Sequence, residues 1–192
     1  MFYRPYGHEI ATENQLRYLL DAHEVRHAII SGPNSGYGLD NRCMLNAVAE
    51  GGDRYKGVAV VRNDASIQEL QDLQGAGVVG IAFNVALLGV NSYHDVGPLL
   101  QRLRDLDMLA QFQVEGDQLV GLQPMLLDSG AQLIFDHCGR PVPERGLGQA
   151  GFAALLSLGG IGRAYVKLSG LALCSHLPFP HEDAWPFIPR AG

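Results

Sequence analysis

Six short apolar runs recur along the chain: HAIIS (27–31), GVAVV (57–61), VVGIAF (78–83), AQFQV (110–114), LIFD (133–136) and AYVKL (164–168). Most are near-continuous rather than alternating. A strand with one wet face alternates apolar and polar residues, whereas an unbroken β-branched run belongs to a strand covered on both faces, as in parallel sheets. Parallel neighbours need a crossover between them, so the intervening segments should be helices.

The segments between the runs carry helix signals. Thr12 and Gln15 make a capping box ahead of Leu16, Leu19 and Leu20. Asp40 is placed to cap a helix carrying Met44, Leu45 and Val48, and Ser66 with Glu69 makes a second capping box. Leu99, Leu100, Leu103 and Leu106 form a stripe. Asp117 precedes Leu119, Leu122, Met125 and Leu126, where Pro124 is expected to kink or shorten the helix. Phe152, Leu155 and Leu156 mark one more. The class is α/β with a parallel sheet and outer helices. Residues 1–192 read as a single domain, without linker or repeat.

Two architectures fit six strands. One is a complete doubly wound sheet. The other is an incomplete (β/α)8 TIM barrel, since a closed barrel needs eight strands and typically about 250 residues. The chain opens on a helix with no strand before it and closes on HEDAWPFIPRAG, where a helix begins and stops. One strand before Met1 and one after Gly192 would complete a barrel, making the six runs its strands two to seven.

Composition narrows the partners. The net charge is −6 and no basic stripe is visible, which argues against nucleic acid. No apolar run reaches the roughly 18 residues of a membrane span. MFYRPYGHEI lacks the layout of a secretory leader, so a cytoplasmic location is expected. Cys43, Cys138 and Cys174 are too widely spaced for a CxxC site and read as reduced thiols. Oligomeric state is not readable.

In either architecture the functional site lies at the C-terminal ends of the strands. The first strand is followed by SGPNSGYGLDN, with Ser31, Ser35, Tyr37 and Asn41 as candidates. This stretch is neither a GxGxxG fingerprint nor a P-loop, and its glycines also suit a plain turn. Asn84 stands at the third tip, and Gln113 and Glu115 at the fourth, with Glu115 read as a solvated loop charge. The fifth ends in Asp136, His137 and Arg140, and the sixth carries Lys167 and Ser169. Asn84 also suits a loop-backbone role, and Lys167 a snorkelling one.

His137 is the sharpest candidate. An imidazole whose second nitrogen is held makes a good proton shuttle or metal ligand. Arg140 suits a two-pronged clamp on a carboxylate, and Gly139 with Pro141 would fix the turn that aims both. His8, His23, His27, His94, His176 and His181 are weaker, and no HxH or HExxH pattern occurs.

SGPNSGYGLDNR, KGVAVV, AGVVGIAFN, DHCGRP, VKLSG and EDAWPF, in this order across nearly the whole chain, resemble the amidohydrolase-related TIM-barrel hydrolases. The nearest branch resembles the 2-pyrone-4,6-dicarboxylate lactonases and sulfomuconolactone hydrolases. The resemblance implies a (β/α)8 barrel with an HxH pair on its first strand and an acidic base on its eighth. Neither is in this sequence, so the isolated chain is expected to be inactive. His137 matches the active-site histidine after the sixth barrel strand, as catalytic residue and possible metal ligand, with Zn²⁺ the first choice where a divalent ion is used. Arg140 matches the neighbouring substrate-binding arginine. Ser35 and Tyr37 match the polar loop after the second strand, and Asn84 and Lys167 complete the expected substrate contacts. Two positions depart: Ala82 stands where the lactonases resemble GVRFN, and Leu173 where an arginine is frequent. Both favour a less anionic lactone or ester-like substrate. The expected function is hydrolysis of such a small molecule by activated water. The alternative is a non-catalytic α/β module holding a small anionic ligand or nucleotide at the strand ends.

Overall fold

A computed structural model describes residues 12–32 and 37–188. Its contacts divide the chain into two units, residues 1–82 and 83–192, and the division falls inside the third strand.

In the first unit, α1 (Glu13–Ala22), β1 (Ala28–Ser31), α2 (Arg42–Gly51), β2 (Tyr55–Ala59), α3 (Ile67–Gly75) and the body of β3 (Val78–Asn84) follow one another. β1 pairs parallel with β2, Ala28 opposite Tyr55, and β2 pairs parallel with β3 across a register shift at Gly57/Val58. Gly57 lets α2 approach, since a Cβ there would overlap the Met44 sulfur. Tyr55, Val58, Ala59, Leu70, Val78 and Ile81 form the buried centre. The Thr12–Gln15 capping box is present in both directions. The Leu16, Leu19, Leu20 stripe it introduces is not buried; Leu19 is 55% exposed. α1 is held instead by Arg54, which pairs with Asp21 at 2.6 Å and donates to the Val25 carbonyl at 2.7 Å. Asp40 caps from one residue further out than the assigned cap, Asn41, accepting the first helical N–H from Arg42 at 3.0 Å.

In the second unit, the end of β3 leads into a single turn, α4 (Val85–Leu88), then α5 (Gly97–Asp105), β4 (Leu109–Gln113), α6 (Gln118–Ser129), β5 (Gln132–Phe135), α7 (Ala150–Gly159) and β6 (Ala164–Val166). β4, β5 and β6 are parallel neighbours, with Phe112 opposite Phe135 and Phe135 opposite Val166. Within this unit Phe83, at the end of β3, stacks on Phe112 of β4 at 4.6 Å. The strand order is β1-β2-β3-β4-β5-β6, the order of the chain. A doubly wound sheet reverses its strand order at a switch point, and this order has no reversal. The six runs are therefore strands of a barrel-type parallel sheet.

Pro124 neither shortens nor ends α6, which runs from Gln118 through to Ser129. Leu119, Leu122 and Leu126 are fully buried. Their burial, at about 1.5–3 kcal/mol each, outweighs the ~3 kcal/mol cost of an internal proline. No helix among the described residues is long and apolar enough to cross a membrane.

Candidate functional site

One face of the β4–β6 sheet carries Ala110, Phe112, Leu133 and Phe135, all without solvent contact. Strand alternation puts Gln111, Ile134 and Tyr165 on the other face, and the next residues in that series are Asp136 and Lys167. The ladder continues far enough to hold them: Asp136 N–H donates to the Phe112 carbonyl at 2.9 Å, and Lys167 N–H to the Phe135 carbonyl at 2.9 Å. Asp136 is buried, with 10% of its side chain exposed. Gln111 Nε2 donates to its Oδ2 at 3.0 Å, and Lys167 Nζ lies 2.9 Å from Oδ1. The lysine contact is an ion pair rather than an aligned hydrogen bond, since Oδ1 has no hydrogen-bonding partner. A buried carboxylate is thus hydrogen-bonded from one neighbouring strand and charge-paired from the other.

Beyond Asp136 the backbone turns left-handed for four residues, with φ of 54° at His137, 55° at Cys138, 73° at Gly139 and 47° at Arg140. Only Gly139 adopts this freely; each of the others costs about 1–2 kcal/mol. Hydrogen bonds within the turn and to neighbouring segments hold it. Cys138 N–H donates to the Lys167 carbonyl at 3.1 Å, Gly139 N–H to Asp136 at 2.9 Å and Arg140 N–H to His137 at 2.9 Å, while the Arg140 carbonyl accepts from Gly116 at 3.0 Å. Backbone strain stabilised by its surroundings is a mark of functional sites.

The turn delivers His137 to β6. Its Nδ1 lies 3.1 Å from Ser169 Oγ. Gly170 makes the approach possible: a Cβ there would lie 2.6 Å from the ring Cγ. Burial lowers the His137 pKa below the ordinary imidazole value; Asp136 opposes this, and Arg140 and Lys167 add to it. The ring is therefore neutral at pH 7.

Arg140 Nη2 sits 3.2 Å from Glu115 Oε2, so Glu115 is a partner rather than a free loop charge. The Arg140 Nε is buried and makes no hydrogen bond among the described residues. An open cleft of about 560 Å³ runs past Arg140, bordered by Glu115, Asp117, Arg145, Cys174 and His176. Arg145 pairs with Asp117 at 2.9 Å.

Asn84 acts locally. Its Oδ1 accepts from Leu87 N–H at 3.1 Å, capping α4, and its own N–H donates to the Tyr93 hydroxyl at 3.1 Å. Asn41 holds Val60 through both backbone groups, at 2.9 and 2.7 Å. Tyr37, 48% exposed, belongs to the first unit, and Ser35 lies outside the described residues. Cys138 and Cys174 are buried, and burial pushes both thiols up, Cys174 to about 11, so neither is a ready nucleophile.

The second unit thus brings together His137, Arg140 and Lys167 of the expected set. Gln111 and Gly170 were not expected, and Ser169 and Glu115 take larger parts than their positions suggested. Strand alternation puts Gln111 and Asp136 on one face, and the β4–β5 register, which the sequence does not display, brings them together. The Ser169–His137 contact depends on a left-handed turn that no residue-type rule announces.

Among the described residues no three His, Cys, Asp or Glu side chains converge as a metal site. His137 supplies one imidazole, where a catalytic zinc takes about three protein ligands. The described residues by themselves do not fit a metal.

The Amidohydrolase family model matches residues 1–191. The 4-sulfomuconolactone hydrolase of Rhizobium radiobacter is 27% identical over 192 residues, 96% of this chain. The chain spans 62% of that relative's length. A probable 2-pyrone-4,6-dicarboxylic acid hydrolase from Acinetobacter baumannii, solved with citric acid bound, superposes with a TM-score of 0.81 at 25% identity, covering 97% of this chain and 72% of that one. A Burkholderia multivorans amidohydrolase, solved with bound zinc, shares the fold at a TM-score of 0.73 and 19% identity, covering 94% of this chain and 68% of that one. The strand order, the site at the strand ends and these similarities agree: the chain is an incomplete (β/α)8 barrel and belongs to the amidohydrolase family.

Proposed function

We propose that this chain carries part of the active site of a hydrolase that opens a lactone or related carbonyl ester with an activated water. The observation that supports this reading is His137: a neutral imidazole on a strained turn at a strand tip, held at Nδ1, whose Nε2 makes no hydrogen bond among the described residues. The relative named 4-sulfomuconolactone hydrolase supports the same reaction. His137 Nε2 accepts a hydrogen bond from the attacking water and orients it toward the reacting carbonyl. Arg140 orients an anionic group of the substrate, for which Glu115 must yield its place. Asn84, whose Oδ1 is engaged, offers its amide NH₂, and Ser35, Tyr37 and Lys167 supply the remaining hydrogen bonds. Ala82 and Leu173, standing where the lactonase pattern has arginine, favour a substrate with fewer carboxylates. The general base belongs to the acidic position that the resemblance puts on the eighth barrel strand.

His137 Nε2 is also the atom we propose as one ligand of a divalent ion, Zn²⁺ by preference; the protein groups above carry the roles assigned here without it. Residues 1–192 form part of one catalytic domain, in our reading, acting on a small molecule and not on nucleic acid. The three free cysteines fit a reducing cytoplasm.

A panel of lactones with zero, one or two carboxylates tests this in a full-barrel protein carrying these residues. Ring opening is expected, fastest with the less anionic members. No ring opening of any lactone would overturn the reading. The cleft beside Arg140 favours a second reading, a module that binds small anions without turnover; saturable carboxylate binding with no hydrolysis by that protein would select it.

A further inference from the structure

We propose that Ser169 is the positioning residue of His137: it accepts the Nδ1 proton, so the imidazole stands in one orientation and presents Nε2 as an unprotonated lone pair. The inference rests on the functional reading only in giving that lone pair a use. The geometry stands apart from it.

Three features converge on the ring. The left-handed run from His137 to Arg140 gives the side chain its direction, and the Cys138 N–H bond to Lys167 ties that run to β6. Ser169 Oγ is 3.1 Å from Nδ1, on a residue that is itself exposed. Gly170, with φ of +65°, lets the ring lie against the backbone where any side chain would collide. The serine hydroxyl can give its own proton to water, which frees its oxygen to accept from the ring. A neutral ring carries one proton, so placing it on Nδ1 leaves Nε2 bare. Histidines that ligate metals or accept protons are commonly oriented in this way by a partner on the other nitrogen.

Long-range ¹H–¹⁵N correlation spectra of the 192-residue chain, recorded above the range where imidazoles titrate, report the tautomer of each histidine. The expected result for His137 is a pyrrole-type Nδ1 and a pyridine-type Nε2. Ser169→Ala is expected to move both ¹⁵N shifts toward a mixture of tautomers, and Ser169→Thr, which keeps the hydroxyl, to restore the pattern. The exposed position makes either variant easy to fold, which unchanged amide spectra elsewhere would verify. A wild-type His137 protonated at Nε2, or a tautomer unmoved in Ser169→Ala, would overturn the proposal. Neither readout involves lactone turnover, so its failure is distinct from failure of the proposed reaction.

Discussion

His137 sits where several unfavourable local choices meet, and each has a measurable consequence. Its backbone is left-handed, its ring is half-buried, and Arg140 and Lys167 add to its preference for neutrality. The folded-state pKa lies below the unfolded value of 6.5, so the unfolded chain binds the proton more readily. The stabilisation is present above pH 6.5 and is lost as pH falls through the lower, folded value. Urea denaturation across this range should show stability declining toward acid, and His137→Gln should flatten part of that decline. A His137→Gln curve parallel to wild type would assign the loss to other groups. Gly170 is the ring's other constraint. Gly170→Ala is expected to cost at least about 1–2 kcal/mol from its positive φ alone and to push the imidazole off Ser169. Denaturant midpoints measure the first effect and histidine spectra the second.

At the scale of elements, the sheet tips are secured by charges inserted between strands and helix ends. Arg163 donates to three carbonyls, Ala131 at 2.7 Å, Leu126 at 3.1 Å and Leu127 at 2.6 Å, closing the C-terminus of α6 ahead of β5. Arg163→Ala should destabilise the chain by about 1–3 kcal/mol, read from chemical denaturation. Lys167→Met tests the neighbouring device. It leaves buried Asp136 with Gln111 alone and should cost about 1–3 kcal/mol, less than a fully buried pair would because Lys167 is 36% exposed. A neutral outcome would mean that water replaces the lysine without cost. These devices were only partly legible. The strand runs and the Thr12 and Ser66 caps were readable because they follow short-range rules of period and hydrogen bonding. Pro124 does not shorten its helix and the leucine stripe of α1 is not buried, because tertiary burial decides whether a local preference is honoured. Gln111, Ser169 and Gly170 act across strands, through register and a left-handed turn, which a single segment does not display.

For the whole molecule, the parallel class follows from the unbroken apolar runs. The choice between barrel and doubly wound sheet needed the strand order, which no single segment displays. Family membership supports the reaction class we propose, and the geometry at His137 supports the residue we propose for it. The most direct test of that assignment is the rate of lactone ring opening by a full-barrel protein carrying this chain, with and without His137→Ala. The account predicts a fall in kcat/KM of about 10²–10⁴-fold with the fold intact. Ring opening at the wild-type rate in the alanine variant would contradict it.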